Sequence, residues 1–266
     1  MAEVSARGVR FHVQRLGTPR PDARGVVFVH GLVMDNLSSW YFTVANALAQ
    51  NAEVLLYDLR GHGRSSQPVD HYAVDDMVED LAAVIDATLG GRPVILIGNS
   101  FGALVCLRFA CAHPSRVHAL ALVDGHLGGV GFAEQMTATL ALQGEARDRA
   151  IARSFQSWLG RHSARKRTRL AVKAQELIEK TTLVADLRSS LPILPQDLTA
   201  LRVPTLALYG ENSDLRRPSE ELLTAMPNSR VVILSGCTHS ILWEATAEVR
   251  QMIVAFVGDQ QKSSSL

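Results

Sequence analysis

The chain has 266 residues, a formal net charge of +1 and 20% charged residues, so no global basic excess points to nucleic acid. A hydrophobic content of 47% can fill a sizeable core, yet no apolar run reaches the roughly 20 residues that a membrane span needs. Cys106, Cys111 and Cys237 show neither metal-ligand spacing nor a disulfide framework, and MAEVSARGVRFHVQRLG has no signal-peptide core; a reduced, cytoplasmic setting is expected.

In chain order, β-branched apolar runs alternate with helical patterns. Strands are predicted at Val9–Gln14, Val26–His30, Val54–Asp58, Val94–Gly98, Ala119–Asp124, Thr205–Tyr209 and Arg230–Leu234. Helices are predicted at Ser39–Leu48, Val74–Leu89, Ala103–Ala112, Ser219–Ala225 and Ala245–Val257. This alternation implies an α/β fold: a mostly parallel central sheet with helices on both faces. One region breaks the rhythm, because from about His126 to Leu198 only helical pattern is present. The expected organisation is therefore a core made of 1–126 and 198–266 with an all-helical insertion, 127–197, between them. Ligands of such sheets bind outside the carboxyl ends of the strands, so the insertion would roof that edge as a cap.

The segment VILIGNSFGALVCLRFA (94–110) carries the chemistry. A short buried strand runs into Gly98-Asn99-Ser100-Phe101-Gly102 and straight on into a helix. Such a strand–turn–helix exposes a serine hydroxyl above a parallel sheet. Side chains at Gly98 or Gly102 would strike the neighbouring strand or helix, and the helix start offers N–H groups to a negative charge forming beside Ser100. A serine nucleophile needs a base to take its proton and a carboxylate to orient that base. Among nine histidines, His239 is the candidate base: it follows a strand in the small-residue loop SGCTHS and precedes the last helix. For the acid, Asp214 in LYGENSDLRRP follows the preceding strand and completes the order Ser–Asp–His. Asp124, which also ends a strand, is the rival. The oxyanion donors are expected to be the N–H groups of Phe101, at the helix start, and Leu32, in HGLVMDN.

Five segments in order, VVFVHG (26–31), LLYDLRGHGRS (55–65), VILIGNSFGA (94–103), PTLALYGENSD (204–214) and CTHSILWE (237–244), make the chain resemble the α/β-hydrolase fold enzymes over nearly the whole core. The resemblance implies Ser100 as nucleophile, Asp214 as acid, His239 as base, Phe101 and Leu32 as oxyanion donors, and a cap from about 127 to 197. Asn99, where many members carry His, and the WE after the histidine look like the subset that hydrolyses carbon–carbon bonds. The chain departs from that subset: it lacks their Gly-rich segment after HG, and Ser240 stands where they usually have Trp. The implied activity is hydrolysis of an ester or thioester through an acyl-enzyme, with no metal and no organic cofactor. Carbon–carbon hydrolysis is the alternative on the same triad, and acyltransferases, lyases and ligand receptors share the fold.

Several residues have plainer readings. His30 packs at a strand end, His62 and Asp58 build a structural turn, and Trp40 and Trp243 pack beside helix starts, with Trp243 and Asn99 also placed to line a pocket. From Gly131 to Ser190 there are eleven Lys/Arg and six Asp/Glu, concentrated in RHSARKRTR (161–169). A solvated helix face explains this charge. The alternative is that Arg165, Lys166, Arg167 and Arg169 dock an anionic acyl donor, an acyl carrier protein or a coenzyme A thioester; otherwise the expected partner is a small acyl substrate.

Overall fold

The computed structural model describes residues 2–19, 23–140, 142, 144–146, 149 and 164–262. Eight strands form one sheet: β1 (Ala2–Ala6), β2 (Val9–Leu16), β3 (Val26–Val29), β4 (Val54–Tyr57), β5 (Val94–Asn99), β6 (Val117–Val123), β7 (Thr205–Gly210) and β8 (Ser229–Leu234). Their order across the sheet is β1-β2-β4-β3-β5-β6-β7-β8. At one edge β1 pairs with β2, and β2 with β4, in antiparallel fashion, and every other pairing is parallel.

The central strands are apolar on both faces because both faces are covered. Val27, Val29 and Leu96 point into one layer, and Val26, Phe28, Ile95 and Ile97 into the other. The first layer is closed by α3 (Val74–Leu89), α4 (Phe101–Ala112) and α9 (Arg216–Leu223). The second is closed by the segment from α1 (Ser38–Trp40) to α2 (Asn46–Leu48), with a π-helical turn Tyr41–Ala45 between, and by α11 (Thr246–Lys262). Burial on both sides is what makes such strands read as continuous runs rather than alternating ones. Between β6 and β7 the described elements are all helical: α5 (Phe132–Leu140), α6 (Ala164–Lys180), α7 (Leu183–Ser189) and α8 (Pro195–Thr199).

Seven strands lie where the sequence places them, within a residue or two at each end. β1 lacks a prediction because AEVSA, at the sheet edge, has only two half-buried side chains and a single β-branched residue, Val4, between small alanines. The predicted helix Ser39–Leu48 is interrupted by the π-helical turn, and Ala245–Val257 extends to Lys262 after a separate turn, α10 (Ile241–Glu244). Among the described residues, no helix is long and apolar enough to cross a membrane.

Candidate active site

The turn between β5 and α4 is built by two close approaches. A Cβ on Gly98 would lie 2.4 Å from the Gly102 carbonyl oxygen, and a Cβ on Gly102 would lie 2.3 Å from that of Val29. Both contacts are with backbone, which cannot swing aside, so glycine is required at each position. Ser100 between them has φ 52° and ψ −120°, a conformation that costs a non-glycine residue about 1–3 kcal/mol. The backbone around it must hold this shape. The Ser100 N–H donates to the Val123 carbonyl at 3.0 Å, and its own carbonyl accepts from the His126 N–H at 3.2 Å. The side chain is thereby lifted off the end of β5 toward the loops that follow β3, β6 and β8.

His239 reaches Ser100 from the loop between β8 and α10. Its Nε2 lies 3.0 Å from Ser100 Oγ. The loop is fastened by Glu244, whose carboxylate accepts from the Thr238 N–H at 2.7 Å and the Thr238 hydroxyl at 2.8 Å. It also presses on β7: a Cβ on Gly210 would lie 2.4 Å from the Thr238 carbonyl oxygen.

The carboxylate that meets His239 is Asp124. Nδ1 of His239 lies 3.0 Å from Asp124 Oδ1. Asp124 is 1% exposed, its φ is 43°, and it also accepts from the Gly210 N–H at 2.7 Å and from the Ser213 hydroxyl. Three donors thus converge on one buried carboxylate, and they fix its plane. With Nδ1 against a carboxylate, the ring proton sits on Nδ1 and Nε2 is left to accept from Ser100 Oγ–H.

Asp214, the acid preferred on chain order, is not brought to His239. The loop after β7 turns back at once, with the Ser213 N–H donating to the Gly210 carbonyl at 3.1 Å. That turn aims Ser213 inward at Asp124 and leaves Asp214, one residue on, exposed. Asp124 faces His239 instead: β6 and β7 are parallel neighbours, so both loops end at the same rim and only the turn's phase decides which side chain faces in.

Leu32 and Phe101 are both buried beside the serine. Neither N–H has a hydrogen-bond partner among the described residues. A Cβ on Gly31 would sit 3.5 Å from Ser100 Cβ, so the β3 loop passes directly over Ser100. This loop is strained as well: the Met34 N–H bonds the Leu32 carbonyl across Val33 at 2.9 Å, and Val33 has φ 68°, which is rare for a β-branched residue. Two buried histidines and a carboxylate hold it. His30 Nδ1 faces the Gly31 carbonyl at 2.7 Å while its Nε2 accepts from the Leu59 N–H. His62 Nε2 accepts from the Val33 N–H at 2.8 Å, and Asp35 accepts from the Gly31 N–H at 2.8 Å. Asp58 ties the next turn through the N–H groups of Leu37 and Arg64, in keeping with its structural reading.

Burial, reinforced by neighbouring His30, pushes the His62 pKa down to about 3 against the opposing bond to the Arg60 carbonyl. Its folded pKa lies below the unfolded one, so the unfolded chain binds the extra proton and acid favours unfolding. The stability that the neutral ring supplies is intact above about pH 6.5 and falls away as pH drops toward 3, at about 1.4 kcal/mol per pH unit. Thermal melts of the His62→Gln variant are expected to show a shallower loss of Tm between pH 6.5 and 4 than the parent. Equal slopes would mean that His62 does not titrate on unfolding.

Asn99 is half-buried beside the serine, with Nδ2 3.4 Å from Asp35 Oδ2. Trp243 is half-buried against both apolar layers, and Trp40 is fully buried, with Nε1–H donating to the Val29 carbonyl at 3.0 Å. In the basic run, Arg165 and Arg169 are exposed on α6; the side chains of Lys166 and Arg167 and all of residues 161–163 lie outside the described set. Sequence reasoning missed Ser213, Glu244 and His126 as parts of this site. Only His126 left a signal, a histidine two residues beyond Asp124 at a strand end.

Residues 25–246 match the family model for the alpha/beta hydrolase fold. The chain is 26% identical to the polyketide synthase ThaQ of Burkholderia thailandensis over 263 residues, 90% of this chain but 12% of ThaQ. It is 34% identical over 137 residues to the 2-hydroxy-6-oxo-2,4-heptadienoate hydrolase of Pseudomonas putida, 50% of this chain and 46% of that protein. The chain thus spans less than half the length of these two relatives. The enol-lactonase of Burkholderia xenovorans superposes with a TM-score of 0.75 at 22% identity, over 97% of this chain and all of that one; at that identity the likeness is one of fold.

Proposed function

Because the chain belongs to the alpha/beta hydrolase fold family, we propose that it is a hydrolase that cleaves an ester or thioester through an acyl-enzyme formed on Ser100. The observation that carries this reading is the hydrogen-bonded chain Ser100 Oγ–His239 Nε2 and His239 Nδ1–Asp124 Oδ1, each link 3.0 Å. Ser100 Oγ attacks the carbonyl carbon as its proton passes to His239 Nε2. The oxyanion accepts from the N–H groups of Leu32 and Phe101, and the imidazolium is stabilised and oriented by Asp124. The tetrahedral species collapses, the leaving group takes the proton from His239, and a water activated by the same nitrogen releases the acid. The helices between β6 and β7 act as a cap over this edge.

Labelling with a fluorophosphonate and pre-steady-state hydrolysis of a p-nitrophenyl ester test the reading. Adduct formation at Ser100 and a stoichiometric burst of nitrophenol are expected. A protein that binds the ester without adduct or burst is a receptor, and one that cleaves a vinylogous 1,5-diketone far faster than any ester is a carbon–carbon hydrolase.

The exposed Arg165 and Arg169 on α6 favour an anionic acyl donor, a coenzyme A or carrier-protein thioester, approaching under a field that salt screens. The double variant Arg165→Glu/Arg169→Glu is expected to lower kcat/KM for an acyl-coenzyme A, relative to a neutral ester, by about threefold to tenfold at low salt and by less at high salt. An unchanged ratio at low salt would leave the two arginines as a solvated helix face.

A further inference from the structure

The loop after β6 supplies a second imidazole that this chemistry does not use. Asp124 and His126 stand two residues apart on either side of Gly125. A Cβ on Gly125 would lie 2.3 Å from Ala103 Cβ on α4. The Gly125 carbonyl accepts from the hydroxyls of Tyr209, at 2.9 Å, and Ser219, at 3.1 Å. The loop is therefore pinned to α4 on one side and to β7 and α9 on the other. A loop so held presents His126 in one place.

That place is beside the reacting groups. The His126 N–H is bonded to the Ser100 carbonyl. Its ring is close enough to His239 and Asp124 to feel their charges: burial and then His239 lower its pKa to about 4, while Asp124 opposes the shift. Near neutral pH the ring is uncharged, with one N–H donor and one acceptor nitrogen. Neither ring nitrogen has a hydrogen-bond partner among the described residues. A half-buried imidazole free of protein partners is open to hydrogen bonds from a ligand.

His126 also lines a cavity of about 300 Å³ whose walls include Leu127, Phe132, Ile193, Leu215 and Leu222. This is at the small end of the range for ligand pockets. Among the described residues, Glu221 is the other ionisable residue of the lining, and no Lys or Arg contributes to it. A terminal carboxylate would meet a like charge and, among the described residues, no cation, whereas a neutral hydrocarbon would meet apolar walls. The group that stays bound to the serine through both half-reactions is the acyl group, and a walled cavity suits it. A leaving group must instead depart to solvent.

We propose that this cavity is the acyl-chain subsite and that His126 is its specificity-determining residue, taking short, uncharged acyl chains and hydrogen-bonding a hydroxyl or keto oxygen carried on the chain. The proposal rests on the serine-hydrolase reading above. It is tested with p-nitrophenyl esters of acetate, butyrate, 3-hydroxybutyrate and hemisuccinate. The His126→Phe variant is expected to lower the 3-hydroxybutyrate to butyrate ratio of kcat/KM by about 10-fold to 100-fold, the loss of one buried hydrogen bond, and His126→Gln to recover part of it. Leu222→Trp should lower the butyrate to acetate ratio by about tenfold by filling the cavity, and hemisuccinate should be the poorest substrate of the parent protein. Fluorophosphonate labelling of Ser100 in the parent reports on the underlying reading separately. Labelling with acyl ratios unmoved by His126→Phe and Leu222→Trp overturns the subsite alone, as does a change confined to ratios among leaving groups. Absence of labelling and of ester turnover overturns both.

Discussion

Replacing Ser100 by Ala is expected to lower turnover of any ester substrate by about 10⁴-fold to 10⁶-fold, the range in which a serine hydrolase loses its covalent route and keeps only binding and oxyanion stabilisation. The change removes one oxygen from a half-buried turn residue. The backbone bonds of Ser100, to Val123, Ala103 and His126, are made by any residue, and the φ of 52° is no worse for Ala than for Ser. Tm is therefore expected to stay within a few degrees of the parent. The measurement is kcat/KM for p-nitrophenyl butyrate beside a thermal melt. A variant that melts normally and still turns over at the parental rate would remove Ser100 from the chemistry.

The second large effect separates the two aspartates. In Asp124→Asn the amide can keep its oxygen at the Oδ2 position, toward the Gly210 N–H, but its NH₂ then takes the Oδ1 position and faces both the Ser213 hydroxyl and His239 Nδ1. That nitrogen must become the acceptor, so the ring proton moves to Nε2 and no lone pair is left for Ser100 Oγ–H. Loss of the correct tautomer costs about 10⁴ in kcat in a serine protease, and a similar loss is expected here, equivalent to about 5.5 kcal/mol of transition-state stabilisation. Asp214→Asn changes an exposed side chain and is expected to alter kcat by about threefold at most. The opposite pattern, a large loss in Asp214→Asn and a small one in Asp124→Asn, would return the orienting role to the β7 loop. A Ser213→Ala variant lies between them. It deletes one of three donors on the Asp124 carboxylate, so a loss of about tenfold is expected, consistent with a positioning group.

Much of this site is written in local sequence. Gly98 and Gly102 flank Ser100 because backbone passes within reach of any side chain there, and a strand running into a helix around a serine is a local pattern. His239 is legible for the same reason, as a histidine in a small-residue loop between the last strand and the last helices. The buried strands announce themselves because a parallel sheet covered on both faces needs unbroken apolar runs. Where a strand is exposed at an edge, as β1 is, that signal is absent.

The partner of His239 belongs to another level. β6 and β7 deliver Asp124 and Asp214 to the same rim of the sheet, and nothing in either loop's composition says which carboxylate turns inward. The outcome depends on one residue of phase: the turn that closes from the Ser213 N–H to the Gly210 carbonyl buries Ser213 and exposes Asp214, and the ladder of β6 against β7 then sets Asp124 opposite that hydroxyl. The placement of His126 and of the histidines His30 and His62 that clamp the loop after β3 is likewise a tertiary outcome. Their chemistry comes from burial and from backbone groups about 30 residues away in the chain. Local sequence placed Ser100 and His239, because a strained turn and a loop are short-range objects. Packing between distant strands decided which carboxylate meets His239, because proximity at a sheet's rim is a property of strand order and register.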